Sequence, residues 1–262
     1  MKIRPNILTI AGFDPSSGAG FTADIKTFEA LKCYGLAVSM ANTIQNDIEF
    51  KACHWTDVEV IKNQIEILFD RFDINFVKIG IVQNWKVLNE IIDLLLKKNA
   101  KIKIVLDPIL KSSSDFNFCN SNVSSSAPDF NRDCIENQFD EVLNKIYLLT
   151  PNYQEIEKLY PDKTIEETIK FISAKTNVFL KGGHRKEAVG KDELFTKNGG
   201  YFVLNPKGQK NSEKHGSGCV LSSAITAYLA LGFPLLKACY RGKRYTEKVL
   251  SSNTSLLGYH RI

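Results

Sequence analysis

Ile7-Leu8-Thr9-Ile10-Ala11-Gly12-Phe13-Asp14-Pro15-Ser16-Ser17-Gly18-Ala19-Gly20 is the stretch from which the architecture can be read. The β-rich apolar run Ile7–Ala11 predicts a strand, and the helical period from Ala23 to Cys33 predicts a helix directly after it. The glycines between them permit positive φ and close backbone approach, and a helix N-terminus favours anions. The loop also reads as a plain tight turn. It matches neither G-x-x-x-x-G-K-[ST] nor G-x-G-x-x-G, so a P-loop and a dinucleotide fingerprint are both excluded.

The same strand-to-helix rhythm continues outward. Strands are expected at Ala37–Ile44, Phe76–Ile79, Ile104–Leu106, Ile146–Leu149 and Val178–Leu180. Helices are expected at Asp57–Phe72, Lys86–Lys98, Glu155–Tyr160 and Ile165–Ala174. Thr56 with Glu59, and Thr164 with Glu167, fit the T-x-x-E capping box. This alternation predicts an α/β fold with a mainly parallel central sheet and helices on both faces. Two regions break it. Lys111–Cys134, rich in Ser, Asn and Asp, reads as a long exposed insertion, and Val189–Leu204 as an antiparallel excursion turning at Asn198-Gly199-Gly200. Neither resembles a domain linker, so residues 1–262 are expected to form one domain.

Composition narrows the function. Of 262 residues, 44% are apolar and 24% charged, as in ordinary globular proteins. The 34 basic and 29 acidic side chains leave +5, too scattered a surplus to predict a nucleic-acid partner. Six cysteines stand singly at 33, 53, 119, 134, 219 and 239, which predicts reduced thiols in a cytoplasmic protein. Only five largely apolar residues precede Gly12, short of a secretory core of about 7 to 15, and no run nears the roughly 18 of a membrane span. No membrane partner is expected.

Four further stretches carry chemistry. His215-Gly216-Ser217-Gly218-Cys219 precedes an apolar helical run through Ala230, so the backbone N–H groups of Gly216, Ser217, Gly218 and Cys219 can converge on one anion. Cys219 would sit in the first helical turn, where a thiol pKa is expected to fall, though a small buried cysteine is the competing reading. Asp107-Pro108 and Thr150-Pro151-Asn152-Tyr153-Gln154-Glu155 each close a strand, and ligands gather beyond the carboxyl ends of parallel strands. Asp107 and Glu155 supply hard oxygen ligands for a metal-bound phosphate, while Asn152 with Glu155 equally forms a helix cap. Lys181-Gly182-Gly183-His184 follows another strand, and Lys181 is placed to meet phosphate as a point charge.

Taken in order, these stretches resemble the ribokinase-like superfamily, and within it the hydroxymethylpyrimidine/phosphomethylpyrimidine kinases of thiamine biosynthesis. The resemblance runs from about Ile7 to Tyr245 and includes Ala23–Phe28, Thr43-Ile44-Gln45-Asn46 and Lys78-Ile79-Gly80 besides the motifs above. It implies a three-layer sandwich using ATP and Mg²⁺. The pyrimidine alcohol and its monophosphate would be the small-molecule substrates, resting against Gly12 and Ala19, with Asp24 and Gln45 reading the aminopyrimidine edge. Gly216, Ser217 and Gly218 would form the anion hole, with Cys219 as general base. Asn152, Lys181, His184 and Lys243 would bind ATP, Asp107 and Glu155 would organise the metal, and a homodimer is the expected assembly.

Departures from the family pattern concern the pocket. Phe13 and Ser17 replace a Ser and a Gly, Ile81 stands where a Met often packs on the pyrimidine, and Ser217 replaces a Thr. Two alternatives share much of this pattern, a pyridoxine-type vitamin kinase and a catalytically idle pyrimidine-binding regulator. Gln45 favours the pyrimidine, because pyridoxine lacks the amino group a Gln amide would read. Lys181 and the intact Gly216–Cys219 turn argue for catalysis.

Overall fold

A computed structural model of the protein describes residues 4–109, 132–183, 189–207 and 212–260. Among these residues, nine strands form one continuous sheet in the order β3-β2-β1-β4-β5-β6-β7-β8-β9. Strands β1 (Asn6–Phe13), β2 (Tyr34–Gln45), β4 (Ile74–Ile79), β5 (Lys103–Leu106), β6 (Leu148–Leu149) and β7 (Asn177–Leu180) run parallel. Antiparallel pairing is confined to the two edges, where β3 (Phe50–Trp55) joins β2, and β8 (Asp192–Phe195) and β9 (Tyr201–Leu204) extend from β7. The mainly parallel α/β sheet expected from the alternation is the one observed.

Strand pleating divides the core into two layers. Leu8 and Ile10 of β1, Ile104 and Leu106 of β5, and Val178 and Leu180 of β7 face one side. There they pack against α2 (Val58–Arg71), α3 (Trp85–Lys98), α4 (Arg132–Lys145), α5 (Tyr153–Leu159) and α6 (Ile165–Ser173). The intervening Ile7, Val105 and Phe179 face the other side, covered by α1 (Gly20–Ala30), α7 (Ser217–Ala230) and α8 (Leu235–Leu250). Both faces of the sheet are therefore apolar, as a parallel sheet with crossover helices requires.

Most boundaries fall within a few residues of expectation, and the differences have local causes. Thr164 and Glu167 form the capping box at α6, with both reciprocal hydrogen bonds in place. Thr56 does not cap α2. Its N–H is committed to the Met40 carbonyl at 3.0 Å, and the Asp57 carboxylate accepts from the Glu59 N–H instead. Of the insertion read at Lys111–Cys134, residues 111–131 lie outside the described part, and α4 begins at Arg132, before that tract ends. Phe139, Val142, Leu143 and Ile146 then recur at helical spacing on the buried side. The β8–β9 excursion turns at the expected place, closed by the Gly199 N–H donating to Thr196 O and the Thr196 N–H to Gly200 O.

Helix α7 carries the second glycine turn at its start, and α8 holds it against the sheet. The two helices meet closely because Gly242 has no side chain. A Cβ there would lie 2.6 Å from Ile225 Cγ1 and 3.1 Å from Ile225 N. Gly242→Ala should therefore force the helices apart and destabilise the fold by about 1–3 kcal/mol, the usual cost of overpacking. Urea unfolding should show a lower midpoint with an unchanged m-value.

Candidate active site

A cavity of about 500 Å³ opens at the carboxyl ends of the parallel strands. Two glycine turns build its centre. Gly20 begins α1 at φ +60°, and a Cβ there would lie 2.2 Å from Gly12 O. Gly216 is the N-cap of α7 at φ +72°, and its Cβ would lie 2.1 Å from Gly18 O. Only glycine meets both demands, a left-handed backbone and direct contact with another chain segment. Ser17 has φ +59°, so the residue replacing a glycine still adopts a glycine-like conformation.

A buried polar pair ties the same turns together. His215 Nε2 lies 3.0 Å from Asp14 Oδ2, which also accepts the Ala19 N–H at 2.7 Å. Asp14 Oδ1 accepts the Ser16 N–H and hydroxyl, each at 2.8 Å. Burial alone would raise this carboxyl, but the hydrogen bonds from His215, Ala19 and Ser16 hold it below the usual carboxylate range.

One wall of the cavity carries a buried ammonium between two carboxylates. Lys181 Nζ donates to Asp107 Oδ1 at 2.7 Å and lies 3.6 Å from Glu155 Oε2. Gly218 faces both groups, its Cβ position being 3.5 Å from Lys181 Nζ and 3.9 Å from Asp107 Oδ2. Thr150 and Ser222 hydroxyls complete the Asp107 contacts at 3.3 and 3.2 Å. Burial opposes charge on Lys181, yet Asp107 and Glu155 raise its pKa, so the ammonium persists. For Glu155, burial dominates and pushes the carboxyl upward against the pull of Lys181. Asn152 and Glu155 also form a complete capping box at α5, with the Asn152 N–H donating to Glu155 Oε2 at 2.7 Å and the Glu155 N–H to Asn152 Oδ1 at 2.8 Å. The cap and the place on the cavity wall belong to the same side chains.

These two buried carboxylates are a hard-oxygen donor set suited to Mg²⁺, which usually takes one or two carboxylates and completes its shell with water and substrate oxygens. Among the described residues, no group of three or more His, Cys, Asp or Glu forms a cage that would hold an ion unaided.

Gly12, Ala19, Gln45 and Ile81 line the other end of the cavity, together with Thr43 and Phe50. Gln45 Nε2 donates to Thr43 Oγ1 at 2.8 Å. Asp24, expected among them, is not on this wall. It is fully buried beneath it, where it accepts from Thr9 and Ser223 hydroxyls at 2.6 Å each and from Lys78 Nζ at 2.9 and 3.1 Å. With these donors its carboxylate is committed to a buried ion pair and not to the cavity lining. Burial opposes charge on Lys78, but Asp24 restores it and raises its pKa.

Cys219 lies in the first turn of α7 and lines the cavity, as expected. Its thiol pKa does not fall. Burial pushes it up to about 11, outweighing the Lys78 ammonium and the Gly20 N–H, because the Asp24 and Asp107 carboxylates add to the burial.

At the far end, Lys243 is present but already paired. It donates to Asp192 Oδ2 at 2.8 Å and to the Gly190 carbonyl, with Glu247 3.7 Å away. Asp192 in turn accepts the Gly182 N–H at 2.8 Å, which ties Lys243 to the Lys181 loop. The reading of His184 falls outside the described residues.

Comparison with known proteins bears directly on this arrangement. Residues 14–261 match the phosphomethylpyrimidine kinase family model. The chain belongs to that family. It is 32% identical over 261 residues to a hydroxymethylpyrimidine/phosphomethylpyrimidine kinase of Aquifex aeolicus, covering 96% of this chain and 97% of the relative. It is also 32% identical over 257 residues to a bifunctional thiamine biosynthesis protein of Methanocaldococcus jannaschii, spanning 97% of this chain but only 55% of that longer protein. The crystal structure of a phosphomethylpyrimidine kinase from Clostridium difficile 630 superposes with a TM-score of 0.72 at 32% identity, covering 93% of this chain and 98% of that one. A pyridoxal kinase from Staphylococcus aureus, in complex with AMP-PCP and pyridoxal, superposes at 0.79 with 23% identity over 96% of this chain and 89% of that one, which shows a shared fold.

Within this kinase family site, sequence reasoning missed Lys78, Thr43, Phe50 and the Asp14–His215 pair. Lys78 left a signal: a lysine inside the apolar run Phe76-Val77-Lys78-Ile79 of a central strand needs a buried counter-ion. The pairing of Asp14 with His215 left none, because 201 residues separate them.

The contact between the turns predicts the effect of adding one carbon. Gly216→Ala should displace the Gly216–Cys219 backbone and lower turnover about 10²-fold, the scale of an ångström-size misplacement. Circular dichroism should show a folded protein, and wild-type turnover from Gly216→Ala would disprove the positional role.

Proposed function

We propose that this chain is an ATP-dependent kinase of the hydroxymethylpyrimidine/phosphomethylpyrimidine type, acting as one catalytic domain. It would transfer the ATP γ-phosphoryl group to the hydroxymethylpyrimidine alcohol and then to the resulting monophosphate. The observation that carries the reading is the convergence, in one cavity, of the Gly216–Cys219 turn with Lys181 and Asp107. The polar Gln45 stands at the other end of the same cavity.

Phosphoryl transfer is mainly positioning and charge neutralisation. The N–H groups of the Gly216–Cys219 turn would meet charge developing on the transferred group, aided by the positive end of α7. Lys181, kept charged by its carboxylate neighbours, would meet the phosphates from the β7 side. Asp107 and Glu155 would hold Mg²⁺, which when bound supplies charge neutralisation at the phosphates. Gln45 would read an amino group beside a ring nitrogen, which supports the pyrimidine over the pyridoxine-type reading.

Cys219 would take the proton of the alcohol, a role its thiolate alone can fill. In the second transfer the acceptor is already an ionised phosphate and needs no base. Because burial holds the thiol at about 11, the thiolate fraction rises about tenfold per pH unit below that value. Phosphorylation of the alcohol should therefore accelerate as pH climbs from neutral, whereas phosphorylation of the monophosphate should not follow the same titration. Cys219→Ser should lower the first step about 10²- to 10⁴-fold, affect the second much less and abolish the pH-dependent rise. Parallel assays of both substrates on one preparation decide it: equal losses in both steps would reduce Cys219 to a packing residue.

A further inference from the structure

The substrate end of the cavity has an aromatic wall that the family motifs do not account for. Among the described residues lining the cavity, Phe50 carries the one phenyl, phenol or indole ring. It starts β3, the edge strand that folds back antiparallel on β2, and its register partner is Gln45. Directly opposed residues of an antiparallel pair project to the same face of the sheet, and residues two apart on one strand do likewise. Gln45, Phe50 and Thr43 thus share a face, and all three line the cavity. Thr43 is fixed there by donating its hydroxyl to Phe13 O at 2.7 Å while accepting from Gln45, so the Gln45 amide is oriented by a strand that also positions Phe50.

The neighbouring surface is aliphatic. Gly12 leaves its side-chain space to others, with its Cβ position 3.0 Å from Ile81 Cγ2 and 3.7 Å from Thr43 Cγ2. The groups offered at this end are the methyls of Ile81 and Thr43 beside the bare Gly12 backbone, the Gln45 amide and the Phe50 ring. Phe50 is half-buried, and a ring bound at this end would cover its apolar surface further.

We propose that Phe50 is a substrate-binding residue of this kinase, its ring packing on the heteroaromatic ring of the acceptor while Gln45 reads that ring's edge. The inference rests on the pyrimidine kinase reading above. Aromatic rings pack in offset or edge-to-face geometry and gain binding energy beyond the area they cover. The acceptor's ring takes no part in the bond changes and is the same in ground state and transition state, so the contact is uniform binding, which appears in KM for both acceptors and leaves kcat in place.

Steady-state kinetics and calorimetric titration with hydroxymethylpyrimidine in the absence of ATP test this on Phe50→Leu and Phe50→Tyr. Leu keeps an apolar side chain of similar size without a ring, and Tyr keeps the ring. Phe50→Leu should raise KM for both pyrimidine acceptors about tenfold and weaken binding in the titration to match. Its kcat and its KM for ATP should stay within about twofold of wild type, and Phe50→Tyr should recover most of the lost affinity. Unchanged acceptor KM in Phe50→Leu would overturn the proposal while leaving the kinase reading intact. A Phe50→Leu loss shared by kcat, ATP and acceptor, or not recovered by Tyr, would assign Phe50 to packing of the hairpin and overturn it too. Failure of wild-type enzyme to phosphorylate hydroxymethylpyrimidine would sink the functional reading itself, and this inference with it.

Discussion

Backbone contact between two glycine turns is the constraint on which the rest of this site depends. Gly216 lies so near the Gly18 carbonyl that no side chain fits between them, and Gly20 stands in the same relation to Gly12. The first turn joins β1 to α1 and the second opens α7, so a helix N-terminus near the end of the chain is held against a loop near its beginning. An oxyanion hole works by preorganised N–H groups, and preorganisation needs such rigid neighbours. The Asp14–His215 hydrogen bond adds a buried polar fastening between the same two loops. The segment after α8 also holds the second turn, since Lys214 Nζ donates to the carbonyls of Asn253 and Ser255 and the His215 N–H donates to Leu256 O.

Charge is arranged in layers around that contact. Lys181 shares the cavity wall with Asp107 and Glu155, while Lys78 and Asp24 form a fully buried pair below. A buried ion pair is weak evidence for stability, because desolvation offsets much of its attraction, but breaking one partner out of it is costly. The Lys78–Asp24 pair is satisfied further by the Thr9 and Ser223 hydroxyls, so it joins α1, β1, β4 and α7 under the Gly216–Cys219 turn. Burial, with this carboxylate adding to it, explains why Cys219 departs from the behaviour of an ordinary cysteine at a helix start. The helix and Lys78 favour the thiolate, but burial with two nearby carboxylates wins.

The end of the cavity lined by Gln45 and Phe50 is built on an edge hairpin. Strand β3 pairs with β2 alone, and its ladder with β2 shifts register between Ile44 and Gln45, just where the cavity begins. Bulges of this kind re-aim side chains near binding sites. Here the irregularity falls between the last regular pair and the Gln45–Phe50 pair, the two residues that would meet an acceptor ring.

The sequence by itself determined the alternation of strands and helices, the two glycine turns and the strand-end placement of Asp107, Asn152, Glu155 and Lys181. All of these depend on local periodicity, turn chemistry and the rule that parallel strands carry ligands beyond their carboxyl ends. The capping boxes at Thr164 and Asn152 were legible for the same reason, whereas at α2 the pairing of Thr56 with Met40 overrode an equally good local motif. Only the tertiary structure decided which of the named residues face the cavity. Asp24 was drawn into a buried ion pair and Lys243 into one with Asp192, because partners 54 and 51 residues away meet them in space. It likewise decided that Cys219 is a high-pKa thiol, since burial and the carboxylates around it come from α1 and the end of β5. Contacts between distant segments leave no periodic trace in a single sequence, and burial is a property of all the layers packed together.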